Sequence, residues 1–408
     1  MSTAYPVVDY DGHPAFDVTV DASQADRSAA YVDVIERLDA LFAPIRDAER
    51  PVSVGQVRRM TKSKLAVCVD DARRLLHAAQ GAREVGAIDI ALDNAAAELQ
   101  AEAAYRSRSA RQVEGSTFRS PVAKALDSTG AFECHLDADG KQRLCDALET
   151  RKQLIEAGEA EANPKLYKAL TVVPRGGDEA ELLLDLLHGA GIPEGFEEFF
   201  NCPLELHFWT LIRSDPTEVW WKDAYREAGV PTSPTTYFHI DSGYDGPKAM
   251  IYLGEVTEDH GPFEYLPGSH RWQRSVSQEI LNKQIERAHK AAWVNEDTDY
   301  YRPYMQLADF RQALMNLPTP ARQQSHFGDD VLAGSELHSF IDRSKRSVSS
   351  DVADCVAFDG NRMTHRGSLA RGSRRWALQV GFEPKPTQAR AAVRRVRATA
   401  GSLRQRTR

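Results

Sequence analysis

The sequence predicts a mixed α and β protein, in which a helical N-terminal region precedes a domain built largely of strands. Three patterns predict this class. Apolar residues between positions 26 and 105 recur at steps of three and four, as in Tyr31, Val34 and Leu38, which is typical of amphipathic helices. Short runs rich in apolar and aromatic residues occur within 204–253 and 354–382, as expected of strands. A long polar stretch, residues 275–348, separates these two groups.

Composition and charge exclude several classes of protein. The chain has 408 residues, 42% of them hydrophobic, and a formal net charge of −8, so it can bury a sizeable core and lacks the positive charge typical of nucleic-acid-binding proteins. It contains neither a signal-peptide pattern nor an uncharged apolar run of about 18 residues. Its five cysteines include no C-x-x-C pair, so we expect buried thiols. These features predict a cytoplasmic protein without nucleic-acid or membrane partners.

The helical N-terminal region is predicted to span residues 1–115. Residues 87–104 are rich in alanine with interspersed Glu and Asp, which favours helix. We expect this region to be a scaffold or a dimer surface without catalytic residues. Residues 122–137 then predict a short helix, a glycine turn and a strand, and residues 141–156 an amphipathic helix. The strand-containing domain is therefore predicted to cover residues 116–386.

The central strands are predicted at 204–212, 235–241 and 248–253. The stretch 275–348 is helical in character, with helices predicted at 278–291, 306–317 and 321–330. It is too long for an ordinary loop between two strands, so we expect a lid insertion that covers a pocket. Strands return at 354–359 and 375–382. The arginine-rich tail, residues 387–408, is predicted to be a mobile terminus.

The candidate chemistry lies in one H-x-D pair and one distant histidine. His239 and Asp241 are two residues apart on a predicted strand, so their side chains face the same side. His365, far downstream, can close a triangle around one metal. Two imidazoles and one carboxylate leave three positions of an octahedron open, the arrangement of non-haem Fe(II) oxygenases. The H-x-D pair alone is a weak signal, because a lone strand histidine is more often structural.

The surrounding sequence carries a family resemblance. After the H-x-D pair come an apolar strand and the turn Gly-Pro-Phe-Glu-Tyr-Leu-Pro-Gly-Ser-His at 261–270, and His365 precedes Arg375 by ten residues. In this order and spacing, residues 125–386 resemble the phytanoyl-CoA dioxygenase-like family of Fe(II)/2-oxoglutarate-dependent oxygenases. The N-terminal helical region is outside the resemblance. The turn histidine, His270, is interpreted as structural rather than metal-binding.

The resemblance implies a fold and a set of binding residues. The fold is mostly β with flanking helices (α+β), a double-stranded β-helix or cupin-like jelly roll. His239, Asp241 and His365 would bind iron, and Arg375 the distal carboxylate of 2-oxoglutarate. The alternatives for that arginine are Arg371 and Arg374. The family often has serine two positions after the second histidine, where this chain has Gly367, so the next residue, Ser368, is a candidate contact to the cosubstrate.

The implied activity is the oxidation, such as hydroxylation, of an unactivated C–H bond in a small molecule. Iron, 2-oxoglutarate and O2 would be used, and succinate and CO2 released. The carboxylate of Asp241 favours this outcome over halogenation, because halogenating relatives have a small residue there. Two alternatives remain: a cupin-like metalloenzyme that does not use 2-oxoglutarate, and a non-catalytic barrel scaffold.

An anionic substrate is a further hypothesis. Four basic side chains are predicted near the strands of the candidate site, and they would suit an anion; they are Arg213, Lys248, Arg271 and Arg366.

Overall fold

The computed structural model describes residues 23–48, 50, 52–79, 82–107, 118–157, 162–163, 168–172, 176–216, 238–241, 246–272, 275–293, 308–322, 336–368 and 370–385. Within these ranges, helices and antiparallel strands are both present, so the predicted mixed α and β class is confirmed. The first residues of the predicted strand 235–241, most of the predicted helix 321–330 and the tail 387–408 lie outside them.

The described helices include ones predicted within 26–105, near 122 and at 278–291, whereas the two helices within 178–200 were not predicted. In chain order, the described helices are α1 (Gln24–Arg46), α2 (Val54–Ala79), α3 (Ala82–Arg106), α4 (Pro121–Ser128), α5 (Ala138–Ala147), α6 (Glu149–Glu156), α7 (Asp178–Gly189), α8 (Ile192–Phe200), α9 (Val276–Trp293), α10 (Ala308–Asn316), α11 (Thr319–Arg322) and α12 (Glu336–Ser344). The single helix predicted at 141–156 is two helices, α5 and α6, which meet at the buried Leu148. None of the described helices has the length and hydropathy needed to cross a bilayer.

The strands form two antiparallel sheets. They are β1 (Ala131–Cys134), β2 (Ala162–Asn163), β3 (Lys168–Val172), β4 (Leu204–Ser214), β5 (Pro247–Tyr252), β6 (Phe263–Tyr265), β7 (Arg346–Val348), β8 (Cys355–Asp359), β9 (His365–Gly367) and β10 (Arg375–Pro384). The larger sheet has the order β1-β8-β5-β10-β4-β3-β2 and the smaller β7-β6-β9. An isolated bridge between His239 and His365 extends the smaller sheet by the segment that carries the H-x-D pair.

Strand β10 shows how the two faces of the larger sheet are used. Leu378 and Val380 are buried in an apolar cluster formed with α4 to α8. Ala377, on the opposite face, belongs to a second cluster with Tyr252 of β5 and Phe263 of the smaller sheet. Side chains alternate along a strand, so β10 contributes to both cores. The two sheets therefore pack against each other through the second cluster, at the strands that carry the candidate residues.

The N-terminal helices pack with the helices that follow residue 275. Helices α1 to α3 share one apolar cluster with α9 and with residues 315–321. Asp39 on α1 accepts hydrogen bonds from Ser275 and from the backbone and hydroxyl of Ser277, at the start of α9. Glu98 on α3 pairs with Lys283 on α9 at 2.8 Å. This part of the 275–348 stretch thus rests on the N-terminal helices, and its closing over a pocket stays a prediction.

Candidate metal centre

Backbone pairing brings the H-x-D pair to the distant histidine. The N–H of His239 donates to the carbonyl of His365 at 2.8 Å, and the N–H of His365 donates back at 2.9 Å. This reciprocal pair is the bridge that extends the smaller sheet. Because it fixes both backbones, the two rings lie close, with centroids 4.6 Å apart.

Asp241 is held by the turn after β8. Its N–H donates to the carbonyl of Gly360 at 2.8 Å, and the side-chain amide of Asn361 donates to its carbonyl at 3.3 Å. A Cβ atom at position 360 would lie 2.1 Å from Asp241 Oδ2, so a side chain there would displace the carboxylate. The glycine therefore gives the carboxylate room to reach the two histidines.

The three side chains converge on one point. His239 Nε2 lies 3.7 Å from Asp241 Oδ1, and His365 Nε2 lies 3.5 Å from Asp241 Oδ2. One ligand atom from each residue lies within 4.8 Å of the others. Within the described ranges, no other group of three or more His, Cys, Asp and Glu side chains is arranged for a metal. Two imidazole nitrogens and one carboxylate match the donor set of non-haem iron centres.

His365 is oriented as a ligand before any metal arrives. Its Nδ1 is 2.9 Å from the carbonyl of Met363, so the ring proton belongs on Nδ1 and the Nε2 lone pair faces Asp241. The ring lies against Phe358 and Phe263, with centroid distances of 4.8 and 5.7 Å. Burial lowers the pKa of His365 to about 3, despite the opposing effect of the Asp241 carboxylate. The imidazole is therefore neutral at neutral pH, as metal ligation requires.

Asp241 is ionised and has a cationic neighbour. Burial alone would raise the pKa of its carboxyl, but His365, Lys248 and His239 together hold that pKa well below its usual range. Because His365 is neutral at neutral pH, we attribute the stabilisation there mainly to Lys248. Lys248 Nζ donates to Asp241 Oδ2 at 2.7 Å. The sequence suggested Lys248 only as a contact to an anionic substrate, and no motif identified it as the partner of Asp241.

Arg375 is a buried cation that has no carboxylate partner among the described residues. Only 4% of the residue is exposed, and burial lowers the pKa of its guanidinium. Its Nη2 makes one long contact, 3.4 Å, to Ser214 Oγ, and its Nε has no partner within the described ranges. By contrast, the exposed Arg374 forms ion pairs with Asp215 and Glu156, and Arg371 is exposed.

Tyr252 connects the neighbourhood of Arg375 to the histidines. On β5 it lies opposite Ala377, two residues after Arg375 on β10. Its hydroxyl donates to the carbonyl of Val348 at 2.8 Å and accepts from the N–H of Phe263 at 2.7 Å, which joins the two sheets. Phe263 in turn stacks on His365. His365 therefore contacts the apolar cluster between the sheets, and Arg375 lies on β10 two residues before Ala377, a member of that cluster.

Ser368 also carries an unsatisfied polar atom. Its N–H donates to the carbonyl of Pro262 at 3.0 Å, but its hydroxyl is buried and has no partner within the described ranges. A buried hydroxyl left without a hydrogen bond is unfavourable, so a ligand could complete it.

Other polar residues have partners within the protein. His270 Nε2 lies 2.9 Å from the carbonyl of Asp127, in agreement with its interpretation as structural. The four cations considered for an anionic substrate each pair with one carboxylate; the pairs are Arg213 with Asp215, Lys248 with Asp241, Arg271 with Asp127, and Arg366 with Glu264.

Comparisons with known proteins give distant similarities only. No family model matches this sequence, and no curated protein matches it. Among solved structures, 108 chains match. AviO1 from Streptomyces viridochromogenes Tue57 is 13% identical, with a TM-score of 0.34, 67% of this chain covered and 99% of that one.

Of two further matching structures, one is an enzyme that depends on 2-oxoglutarate (alpha-ketoglutarate), and the other was solved with 2-oxoglutarate bound. The alpha-ketoglutarate-dependent carbocyclase SnoK, from nogalamycin biosynthesis, is 14% identical, with a TM-score of 0.36 and coverage of 66% and 85%. HygX from Streptomyces hygroscopicus, solved with nickel and 2-oxoglutarate, is 14% identical, with a TM-score of 0.34 and coverage of 66% and 88%. TM-scores this low establish neither fold nor function, so the conclusions below rest on the residues of this chain.

Proposed function

We propose that this protein is a non-haem Fe(II)/2-oxoglutarate-dependent oxygenase that oxidises a C–H bond of a small molecule. The observation that carries the proposal is the buried guanidinium of Arg375, which has no carboxylate partner within the described ranges, together with the His239, Asp241 and His365 triad. An isolated buried charge is strongly unfavourable. A fold that keeps one on the strand whose Ala377 belongs to the cluster contacted by His365 favours an anionic ligand that completes it, and 2-oxoglutarate is such a ligand.

The triad would hold the iron. His239 and His365 would bind through Nε2 and Asp241 through a carboxylate oxygen, and these donors fit an octahedral metal with open positions. When iron and 2-oxoglutarate are bound, such a centre couples decarboxylation of the cosubstrate to substrate oxidation by O2, and succinate and CO2 are released. The bond from His365 Nδ1 to Met363 keeps this ring in the ligating tautomer.

Arg375 would bind the distal carboxylate of 2-oxoglutarate. The planar guanidinium can make two parallel, charge-assisted hydrogen bonds to a carboxylate, and its Nε is unused within the described ranges. The Ser368 hydroxyl, also unsatisfied, would be a further contact. The apolar cluster around Tyr252, Phe263 and Phe358 would exclude water from the cosubstrate, which strengthens these polar contacts.

The fold and domain division form part of this proposal. We propose a double-stranded β-helix of the phytanoyl-CoA dioxygenase-like kind in residues 116–386, and two facing antiparallel sheets support it. Residues 1–115 would form a helical region, 275–348 a lid insertion and 387–408 a mobile tail. The substrate would be a small molecule. An anionic substrate that binds one of the four cations would have to share that cation with its carboxylate partner or displace the carboxylate.

The test is an anaerobic titration of the full-length protein with Fe(II) and 2-oxoglutarate, followed by the visible metal-to-ligand charge-transfer band. Arg375→Leu should weaken 2-oxoglutarate binding about 100-fold, because a two-bond contact to a charged group contributes about 3 kcal/mol. Arg374→Leu is the matched control, since Arg374 pairs with Asp215 and Glu156 on the exposed side. His365→Ala should lose iron and the band together.

Each outcome leads to a distinct conclusion. A band in the wild type that Arg374→Leu retains and Arg375→Leu loses supports the cosubstrate and its binding residue. Iron binding without a band would overturn the use of 2-oxoglutarate and favour a cupin-like metalloenzyme. No iron binding by well-folded protein would favour a non-catalytic scaffold.

A further inference from the structure

Two cysteines lie opposite each other at one end of the larger sheet. Cys134 is the last residue of β1 and Cys355 the first of β8, and they are direct partners in the antiparallel register. Opposed residues in such a ladder have Cα atoms about 4.5–5.5 Å apart, and a disulfide spans about 4.4–6.8 Å. Both are free thiols in this structure, so the backbone already holds them at bridging distance.

We propose that Cys134 and Cys355 form a redox-active dithiol that hydrogen peroxide converts into a reversible cross-strand disulfide. Directly opposed side chains project from the same face of a sheet. Here that face is the one under the helices, where Cys355 belongs to the apolar cluster and Cys134 packs against it. The proposal needs no iron and no 2-oxoglutarate.

The two thiols have different roles because their environments differ. Cys134 is partly exposed, whereas Cys355 is fully buried. The contact with Cys355 lowers the pKa of the Cys134 thiol, although burial and Asp354 act in the opposite direction. The same contact and burial both raise the pKa of the Cys355 thiol. The thiolate is the reactive form. Cys134 is therefore the cysteine that reacts with peroxide, and Cys355 is the one that attacks the resulting sulfenic acid to form the disulfide.

The reaction proceeds in two balanced steps. The Cys134 thiolate attacks one peroxide oxygen, the O–O bond breaks, and the products are a sulfenic acid and hydroxide. The Cys355 sulfur then attacks the sulfenic sulfur, the S–O bond breaks, and the thiol proton and hydroxyl leave as water. In sum, two thiols lose two electrons and two protons to hydrogen peroxide, which is reduced to two waters.

The geometry favours a disulfide that is easily reduced. The Cβ atoms of opposed residues lie about 4.5–5.5 Å apart, whereas a disulfide prefers about 3.5–4.5 Å. Closing the bond must therefore draw the ends of β1 and β8 together. Asp354, next to Cys355, accepts hydrogen bonds from the N–H of Leu136 and from Lys141, at 2.9 and 2.8 Å, and these bonds hold the two strand ends at their present spacing. Disulfides formed under such strain are the labile ones.

A third cysteine provides the matched control. Cys145 on α5 packs against the same apolar cluster, and its thiol contacts the carbonyl of Leu253 at 3.6 Å. It lies on a helix and has no strand partner. Accessibility alone would make it as good a target as Cys134, whereas the register singles out Cys134 with Cys355.

The test treats full-length, metal-stripped protein with stoichiometric hydrogen peroxide, blocks the remaining thiols by alkylation and maps peptides without reduction. The wild type should lose two of its five thiols and yield one cross-linked peptide pair containing 134 and 355. Reduced glutathione should restore both thiols. Cys145→Ser should behave like the wild type, and Cys355→Ser should leave Cys134 as a sulfenic acid that dimedone labels.

Three results would overturn the proposal. One is full alkylation of residues 134 and 355 in wild-type protein at a peroxide dose that oxidises Cys145. Another is a cross-link that includes Cys145, and the third is a 134–355 cross-link that glutathione cannot reduce. The wild-type map decides the first two whether or not the variants fold.

Discussion

Gly360→Ala should weaken metal binding without replacing any candidate ligand. A Cβ atom at position 360 would lie 2.1 Å from Asp241 Oδ2 and 3.2 Å from its Cγ. Such contacts are essentially never below 3.0 Å in real proteins, so the carboxylate or the strand must move by about 1 Å. A misplacement of that size costs on the order of 100-fold at a functional centre. We therefore expect the dissociation constant for Fe(II), or for Co(II) as a spectroscopic substitute, to rise about 100-fold.

The assay is anaerobic calorimetric titration of metal into metal-free protein, beside thermal unfolding of both forms. Gly254→Ala is the matched control, because a Cβ atom there meets nothing within 4 Å. Overpacking costs about 1–3 kcal/mol, so the metal-free Gly360→Ala protein should remain folded. Metal affinity within threefold of the wild type, in a variant of normal stability, would refute the steric argument and the assignment of Asp241 as a ligand.

Two further predictions concern charged pairs. Lys248→Met removes the partner of the buried Asp241 carboxylate, so the metal-free variant should lose about 2 kcal/mol of stability. Its melting temperature should rise more on addition of Co(II) than that of the wild type. Equal rises in melting temperature would contradict this. Burial tends to raise the pKa of Glu133, but hydrogen bonds from Arg346 and Tyr265 lower it overall. A carboxyl group whose pKa is lowered by folding stabilises the fold at pH values above its pKa in the unfolded chain, about 4.3. That contribution is lost as the pH falls through its pKa in the folded protein. Urea unfolding of Glu133→Gln should therefore show a weaker loss of stability in acid than the wild type.

Sequence periodicity predicted the local features of the candidate site. Alternation along a strand places Arg375 with Ala377 on one face, and in β10 both residues are buried, with Ala377 in the cluster between the sheets. Arg374, one position earlier, points instead to ion pairs with Asp215 and Glu156. Period-2 patterning thus separates two adjacent arginines, because only one face of β10 turns towards the smaller sheet.

Long-range partners could not be predicted in the same way. The sequence predicted a helix at 278–291, within α9, but not its packing against α1 and α3, since sequence periodicity does not identify the partner of a helix. The pairing of Cys134 with Cys355 likewise depends on the register of two strands far apart in the chain. Lys248 shows the limit most clearly, because its position on β5 becomes informative only once Asp241 is known to lie 2.7 Å away.

Arg375 links the proposed activity to stability. Its buried guanidinium lacks a carboxylate partner within the described ranges, and replacing a buried charge by an apolar side chain is often neutral or stabilising. Arg375→Leu should therefore raise the melting temperature of ligand-free protein while it weakens 2-oxoglutarate binding. In the wild type, the cosubstrate at 100 times its dissociation constant should add about 2.7 kcal/mol, and in the variant almost nothing. Thermal unfolding with Fe(II), with and without 2-oxoglutarate, measures both effects. A variant that is destabilised without ligand yet still stabilised by 2-oxoglutarate would show that Arg375 is a structural residue and that the carboxylate binds elsewhere.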